Sequence, residues 1–249
     1  MFKNNTVSEH RLEYNAKTVP VKVYCERRKN VRYGVARSYA ILRLPYSLSV
    51  AEQTKHWNSF TAWVYEQFNT NTGLQQRFFG RDYNDGDVLD IFGRQYILRI
   101  VYDTARTSHQ ARIKKNEIQL TLAAHDDPHH LRKQLKLLIS RCVAHDCKTE
   151  FEKRVDTLND QFFQKDIQQI TFKYNLSNWG SCSAKSNLNF STRLLFAPTE
   201  TIDYVIIHEL AHLIELNHSS RFWDLVSKAM PNYKVHEKWL KVNGHLCDF

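Results

Sequence analysis

The chain contains no apolar run approaching the roughly 18–20 residues that a bilayer-spanning helix requires. Its first residues, MFKNNTVSEHRLEY, lack the apolar segment of a signal peptide. These two absences argue against a membrane partner and predict a cytoplasmic protein. Cysteine is sparse as well. Cys25, Cys142, Cys147, Cys182 and Cys247 form an odd, scattered set, which does not suit a disulfide framework. Cys142 and Cys147 have no second pair with which to build a zinc ribbon. Reduced thiols are the expectation. No internal repeat, low-complexity tract or Pro/Ser-rich linker interrupts the chain, so solenoid and tethered-module designs are excluded.

What is present is enough for a substantial core. Of 249 residues 42% are hydrophobic, with 14 Phe, 12 Tyr and 5 Trp, a composition of folded rather than disordered chains. The net charge of +9 would attract nucleic acid non-specifically. A solvated basic face around Arg27-Arg28-Lys29 accounts for the same charge.

Periodicity divides the chain into three stretches. Residues 1–14 read as a polar N-terminal arm. Residues 15–125 read as a β-rich region with one helix. Val19, Val21 and Val23 alternate with polar neighbours, and Tyr39–Leu44 is a second extended run. Ser49 and Glu52 form a capping box for a helix to about Phe68, with Trp57, Phe60, Val64 and Phe68 on its inner face. Residues 69–87 read as a loop, 88–101 as a hairpin turning at Gly93, and 117–122 as a strand. Composition then shifts near residue 125, either at a domain boundary or at a seam inside one unit. Residues 126–249 read as mainly helical with a small antiparallel sheet. Asp127-Pro128 starts a helix that carries Leu131, Leu135, Leu138 and Cys142 on one face and continues through Phe151, Val155 and Leu158 to about residue 160. Strands follow at 170–176 and 188–195. The fold class expected is α+β.

His208-Glu209-Leu210-Ala211-His212 matches H-E-x-x-H. Two His four residues apart on a helix converge on one ion, and the Glu between them reaches a water bound there. The helix is apolar around them, with Thr199 as its expected cap and Glu200 in its first turn. Two His and a Glu are costly in such a helix unless they are coordinated or paired. An open catalytic zinc site needs a third ligand, for which His218 is the natural candidate. On a continuous helix it would lie about 15 Å along the axis from His208. The helix must therefore stop near Glu215–Asn217, with Asn217 suited to a left-handed turn, before Ser219 or Ser220 caps a second helix at Arg221–Met230. Glu215, Asp224 and Glu237 are acidic rivals for the third position. The spacing equals that of metzincins, but Glu215 stands where that pattern has Gly.

Three linked blocks, W-G-S-C-S at 179–183, D-Y-V-I-I-H-E-L-A-H at 203–212 and N-H-S-S-R-F-W at 217–223, resemble the YgjP-like metallopeptidase family. This family lies among the zincins, near the SprT and WLM groups. Pro231-Asn-Tyr and Lys238-Trp-Leu-Lys extend the likeness, which covers about 126–249 strongly and the first half loosely. The resemblance implies one Zn2+ per chain on His208, His212 and His218, Glu209 as catalytic acid/base, and a peptide or protein substrate. One departure is Asn178, where the family's motif has Arg before the Trp.

W-G-S-C-S then has two readings. It can shape a substrate groove beside an edge strand at 188–195, with Trp179, Gly180, Ser181 and Arg193 contacting a peptide added as a strand. Alternatively, Trp179 plugs the core and Gly180 makes a turn. Cys182 as a fourth ligand would close the site to hydrolysis. Tyr204, Arg193, Tyr233 and His236 are candidate oxyanion stabilisers. The expected activity is peptide hydrolysis by a metal-activated water. The alternatives are a nucleic-acid-associated SprT-like protease and a non-catalytic binding module with zinc.

Overall fold

The computed structural model describes residues 6–15, 17–36, 38–79, 81–123 and 128–248. The chain gathers into two compact units that meet in sequence at Arg81/Asp82.

Unit 1 is a four-stranded sheet covered by a helix. β1 (Thr6–Tyr14) pairs antiparallel with β2 (Lys17–Glu26), from Thr6 opposite Cys25 to Tyr14 opposite Lys17. Within the expected polar arm, Thr6–Tyr14 is therefore a strand. Its first six residues are exposed, and only Leu12 and Tyr14 point inward, as an edge strand permits. β3 (Arg32–Val35) and β4 (Ala40–Pro45) complete the order β1-β2-β4-β3. The short β3 carries no apolar alternation and left no signal in the sequence.

α1 (Val50–Thr70) starts at the expected capping box. Ser49 Oγ accepts from the Glu52 N–H at 3.3 Å, and the Glu52 carboxylate accepts from the Ser49 N–H at 2.8 Å. Its Phe60, Val64 and Phe68 are fully buried in one cluster with Val19, Val21 and Leu42, while Trp57 lies at the margin. A second helix, α2 (Thr72–Phe79), occupies the segment read as a loop. Asn71 starts it by accepting the Leu74 N–H at 2.8 Å, a local signal that a Gly-containing polar stretch masks.

Unit 2 begins with a second four-stranded sheet, ordered β5-β6-β8-β7. Its strands are β5 (Val88–Ile91), β6 (Arg94–Asp103), β7 (Gln110–Lys114) and β8 (Glu117–Ala123). The β5–β6 turn holds Phe92 and Gly93 at φ 49° and 72°, the pairing that a tight hairpin requires. β7 was not anticipated, because its burial alternates only weakly.

α3 (Pro128–Phe162) is one continuous helix. Asp127, its expected cap, lies outside the described residues. The buried stripe is Leu135, Ile139, Val143, Cys147, Phe151, Val155 and Leu158, and the expected Leu138 and Cys142 flank it half-buried. This stripe shares a core with Leu89, Leu98, Ile118 and Leu120. The composition shift near residue 125 is thus a seam within unit 2.

The third sheet comprises β9 (Gln169–Lys173), β10 (Gly180–Cys182) and β11 (Asn187–Ser191), ordered β10-β11-β9. It is mixed, with β11 antiparallel to β10 and parallel to β9, rather than wholly antiparallel. β11 is the central strand and not an edge, so Leu188 and Phe190 are fully buried. The extended run also stops at Ser191, where a 3-10 turn over Thr192–Phe196 takes over.

The remaining helices are α4 (Thr199–Ala211), α5 (Ser220–Ala229) and α6 (Tyr233–Asn243), and a 3-10 turn over Gly244–Cys247 follows. α4 is buried along almost its whole length. Pro198 holds its N-cap position, and Thr199 is the first helical residue rather than the cap. Asp203 of α4 is bound by the Arg154 fork of α3, Nε to Oδ1 at 2.7 Å and Nη2 to Oδ2 at 2.5 Å. This pair fixes α4 against the long helix. Replacing Arg154 by Met would leave a carboxylate that is only 10% exposed without its donors. The expected loss is about 1–3 kcal/mol in urea unfolding, and an unchanged midpoint would refute this role.

Candidate functional site

α4 ends one turn earlier than the spacing predicts, with His212 at its C-cap. The chain winds on through Glu215, whose N–H donates to Ala211 O at 3.0 Å, and then reverses. Asn217 contributes through its side chain, with Oδ1 accepting the Ser219 N–H at 3.0 Å, and not through a left-handed backbone. Ser219 Oγ accepts the Phe222 N–H and starts α5. His218 is thereby carried back over α4.

The result is a three-His cluster. One ligand atom from each of His208, His212 and His218 lies within 4.8 Å of the others, and Nε2 of His208 and Nε2 of His218 are 3.0 Å apart. Nitrogens held on one zinc at about 2.0–2.1 Å in a tetrahedral shell lie about 3.4 Å from one another, within this range. The Nδ1–H of His212 donates to Glu215 O at 3.0 Å, which fixes the tautomer and leaves the Nε2 lone pair available. Phe222 backs all three rings, with centroids 4.5 Å from His212, 4.7 Å from His218 and 4.9 Å from His208. Burial and the neighbouring imidazoles push His208 down to about 3. Burial also lowers His212. Neutral imidazoles are the form that binds a cation.

Glu209 lies beside the cluster and is 4% exposed. Burial raises its carboxyl above the usual carboxylate range, so its ionised form calls for a nearby positive charge. Its Oε2 and the Nδ1 of His208 are buried without a hydrogen-bond partner among the described residues. The orphaned carboxylate oxygen of Glu209, beside three converging nitrogens, fits a divalent cation with a bound water. The donor set therefore suits zinc. Among the described residues the group contains neither Cys182 nor the carboxylates of Glu215, Asp224 and Glu237. Cys182 Sγ instead lies 3.6 Å from Ser183 O, and burial with the Glu209 charge raises its thiol to about 11.

The strand β10 crosses directly over Glu209. A Cβ built at Gly180 would lie 2.5 Å from Glu209 Oε1 and 2.6 Å from its Cγ. No side chain fits between this strand and this carboxylate. Gly180 is thus required for space, since its backbone is not left-handed. Trp179, Gly180, Ser181 and Cys182 line one wall of a cleft of about 610 Å³ that also contains His208, Glu209, His212 and His218. Asn178, Tyr204, Val205, Leu216, Glu237, Leu240 and Lys241 complete its lining. Leu216 was not anticipated. Leu240 and Lys241 fall in the Lys238-Trp-Leu-Lys block, where only the family likeness had marked them.

Arg193 is not at the cleft. Its side chain is 5% exposed and forms an ion pair with Asp248. Nη2 donates to Gly244 O at 3.0 Å, and Nη1 donates to Asn175 O at 3.3 Å. Its guanidinium lies 4.3 Å over the Trp179 ring. A Cβ at Gly244 would meet Trp179 Cζ2 at 2.5 Å. Trp179 is therefore half-buried, packed against the core and lining the cleft wall. The strand expected over 188–195 ends at Ser191, and Arg193 turns instead to partners at the far end of the chain.

Of the other oxyanion candidates, only Tyr204 lines the cleft. Tyr233 stacks between Trp223 and Tyr204, at 5.3 and 6.4 Å. His236 is within hydrogen-bond distance of Thr201 Oγ1 and Asn232 Nδ2.

Gly180→Ala should destabilise the protein by about 1–3 kcal/mol through overpacking. In a Glu209→Ala background the same change should cost much less, which a thermal-unfolding double-mutant cycle reads directly. Equal costs in both backgrounds would mean that the strand does not press on the carboxylate.

A match to the family described as YgjP-like, metallopeptidase domain, spans residues 29–243. Among solved structures the chain is similar to the metallopeptidase zymogen abylysin of Pyrococcus abyssi. The two are 23% identical over 38% of this chain and 95% of that one, with a TM-score of 0.35. The metallopeptidase zymogen jannalysin of Methanocaldococcus jannaschii is 22% identical over 39% and 96%, with a TM-score of 0.33. No curated protein gives a significant match.

Proposed function

The chain belongs to the YgjP-like metallopeptidase family, and we propose from that premise that it is a zinc-dependent peptidase with His208, His212 and His218 as ligands and Glu209 as general base. The observation that carries this reading is the buried Glu209 carboxylate, orphaned at Oε2 beside three convergent imidazoles. A purely structural zinc site has no use for such a group at that position. Bound zinc supplies an acidified water and polarises a carbonyl. Glu209 would take the proton of the attacking water and deliver it to the leaving nitrogen.

The edge strand β10 supports the substrate side of the reading. Ser191 N–H donates to Trp179 O at 2.8 Å, and Ser183 N–H donates to Asn187 O at 3.0 Å. By the alternation of an antiparallel ladder, Gly180 and Cys182 turn their N–H and C=O groups away from β11. These outward groups can pair with an extended peptide, with Trp179, Gly180 and Ser181 forming the rim. Arg193 leaves the set of substrate contacts and becomes the anchor of that rim. Tyr204 is the proposed oxyanion donor, since a phenol is protonated at neutral pH and this one lines the cleft. No helix among the described residues is long and apolar enough to cross a membrane. The family match adds nothing to the nucleic-acid reading.

A screen of unstructured peptides should detect hydrolysis that a chelator abolishes and added zinc restores. Glu209→Gln should lower the rate by about 10²–10⁴-fold with the unfolding midpoint nearly unchanged. Tyr204→Phe should lower kcat about 10–100-fold with little effect on KM. Full activity in Glu209→Gln would remove it as the base, and an unaltered kcat in Tyr204→Phe would exclude the phenol.

A further inference from the structure

Unit 1 contains a second concave site, unrelated to the three-His cluster. It is a pocket of about 480 Å³ lined by Glu26, Arg28, Arg32, Tyr33, Gly34 and Arg43, among others. Two of its three guanidiniums share one carboxylate. Arg28 Nη1 donates to Glu26 Oε1 at 2.9 Å, and Arg43 Nη1 donates to Oε1 and Oε2 at 3.1 and 3.0 Å. Arg28 Nε also donates to Asn30 O, and Arg43 lies 4.5 Å over the Tyr24 ring. Two of the three forks are therefore held in place before any ligand arrives. No ion pair engages Arg32 among the described residues.

The strand register sharpens the point. Arg32 on β3 stands directly opposite Arg43 on β4. Like charges facing across a ladder are destabilising, and a merely solvated surface has no need of that pairing. Counting the pocket's charged side chains gives three positive and one negative, a surplus of two. Planar guanidinium forks match the oxygens of phosphate bidentately.

We propose that this pocket binds a doubly charged oxyanion of the phosphate type, free or as a monoester, with Arg32 and Arg43 as the principal donors and Glu26 as the group that orders Arg28 and Arg43. The charge surplus favours a dianion over a single carboxylate. Because Glu26 also competes with the ligand, removing its charge should strengthen binding rather than weaken it.

The test is an NMR titration of the full ¹⁵N-labelled chain with inorganic phosphate at low salt. The expected result is saturable shifts concentrated in residues 26–43, weakening steeply as salt rises. Arg32→Ala should raise Kd about tenfold, Arg32→Lys should raise it less, and Glu26→Gln should lower it severalfold. Acetate should bind more weakly than phosphate. Phosphoserine and a mononucleotide, run in parallel, identify the carrier if either binds tighter than the free ion, and equal affinity identifies the free ion as ligand. Absence of saturable shifts in residues 26–43, or a Kd indifferent to Arg32→Ala, would overturn the proposal.

Discussion

One close approach governs the rest of the candidate site, that of the Gly180 backbone to the side chain of Glu209. A buried carboxylate needs a reason to be buried, and it needs neighbours small enough to admit it. β10 meets the second need by having no Cβ where the carboxylate lies. The three imidazoles beside it, and the cation that they suit, meet the first. Strand and helix therefore specify one another. The glycine of W-G-S-C-S and the glutamate of H-E-L-A-H form a single contact read from two parts of the chain.

That contact has to be held, and the holding is done at a distance. Arg193 binds the loop carbonyl of Asn175, the Trp179 ring, the Gly244 carbonyl and the Asp248 carboxylate. Its fork thereby ties the end of the chain to the strand that covers Glu209. On the opposite side, Phe222 fills the space behind the three His rings. Arg154 and Asp203 fix α4 on α3. The cleft can stay open because its walls are anchored in apolar packing and in paired charges.

The parts of this arrangement legible in the sequence were those encoded locally. The Ser49–Glu52 box, the Phe92-Gly93 turn, the Ser219 cap and the His208/His212 spacing each depend on residues within a few positions of one another. The parts that were not legible depend on distant partners. Arg193 reads as an outward strand residue until Gly244 and Asp248 are brought to it. β11 reads as an edge until β9 and β10 flank it. Short elements such as β3, β7 and α2 carry too few apolar residues to show a period. W-G-S-C-S admitted two readings, rim and plug, and Trp179 combines them.

The central claim is that His208, His212 and His218 form an open metal site that Glu209 faces without ligating. Metal content of the protein purified without chelator, measured by plasma mass spectrometry for wild type and His218→Ala, tests it most directly. The account predicts about one zinc per chain in wild type and its loss in His218→Ala with the fold retained. A metal-free wild type, or full zinc retention in His218→Ala, would contradict it.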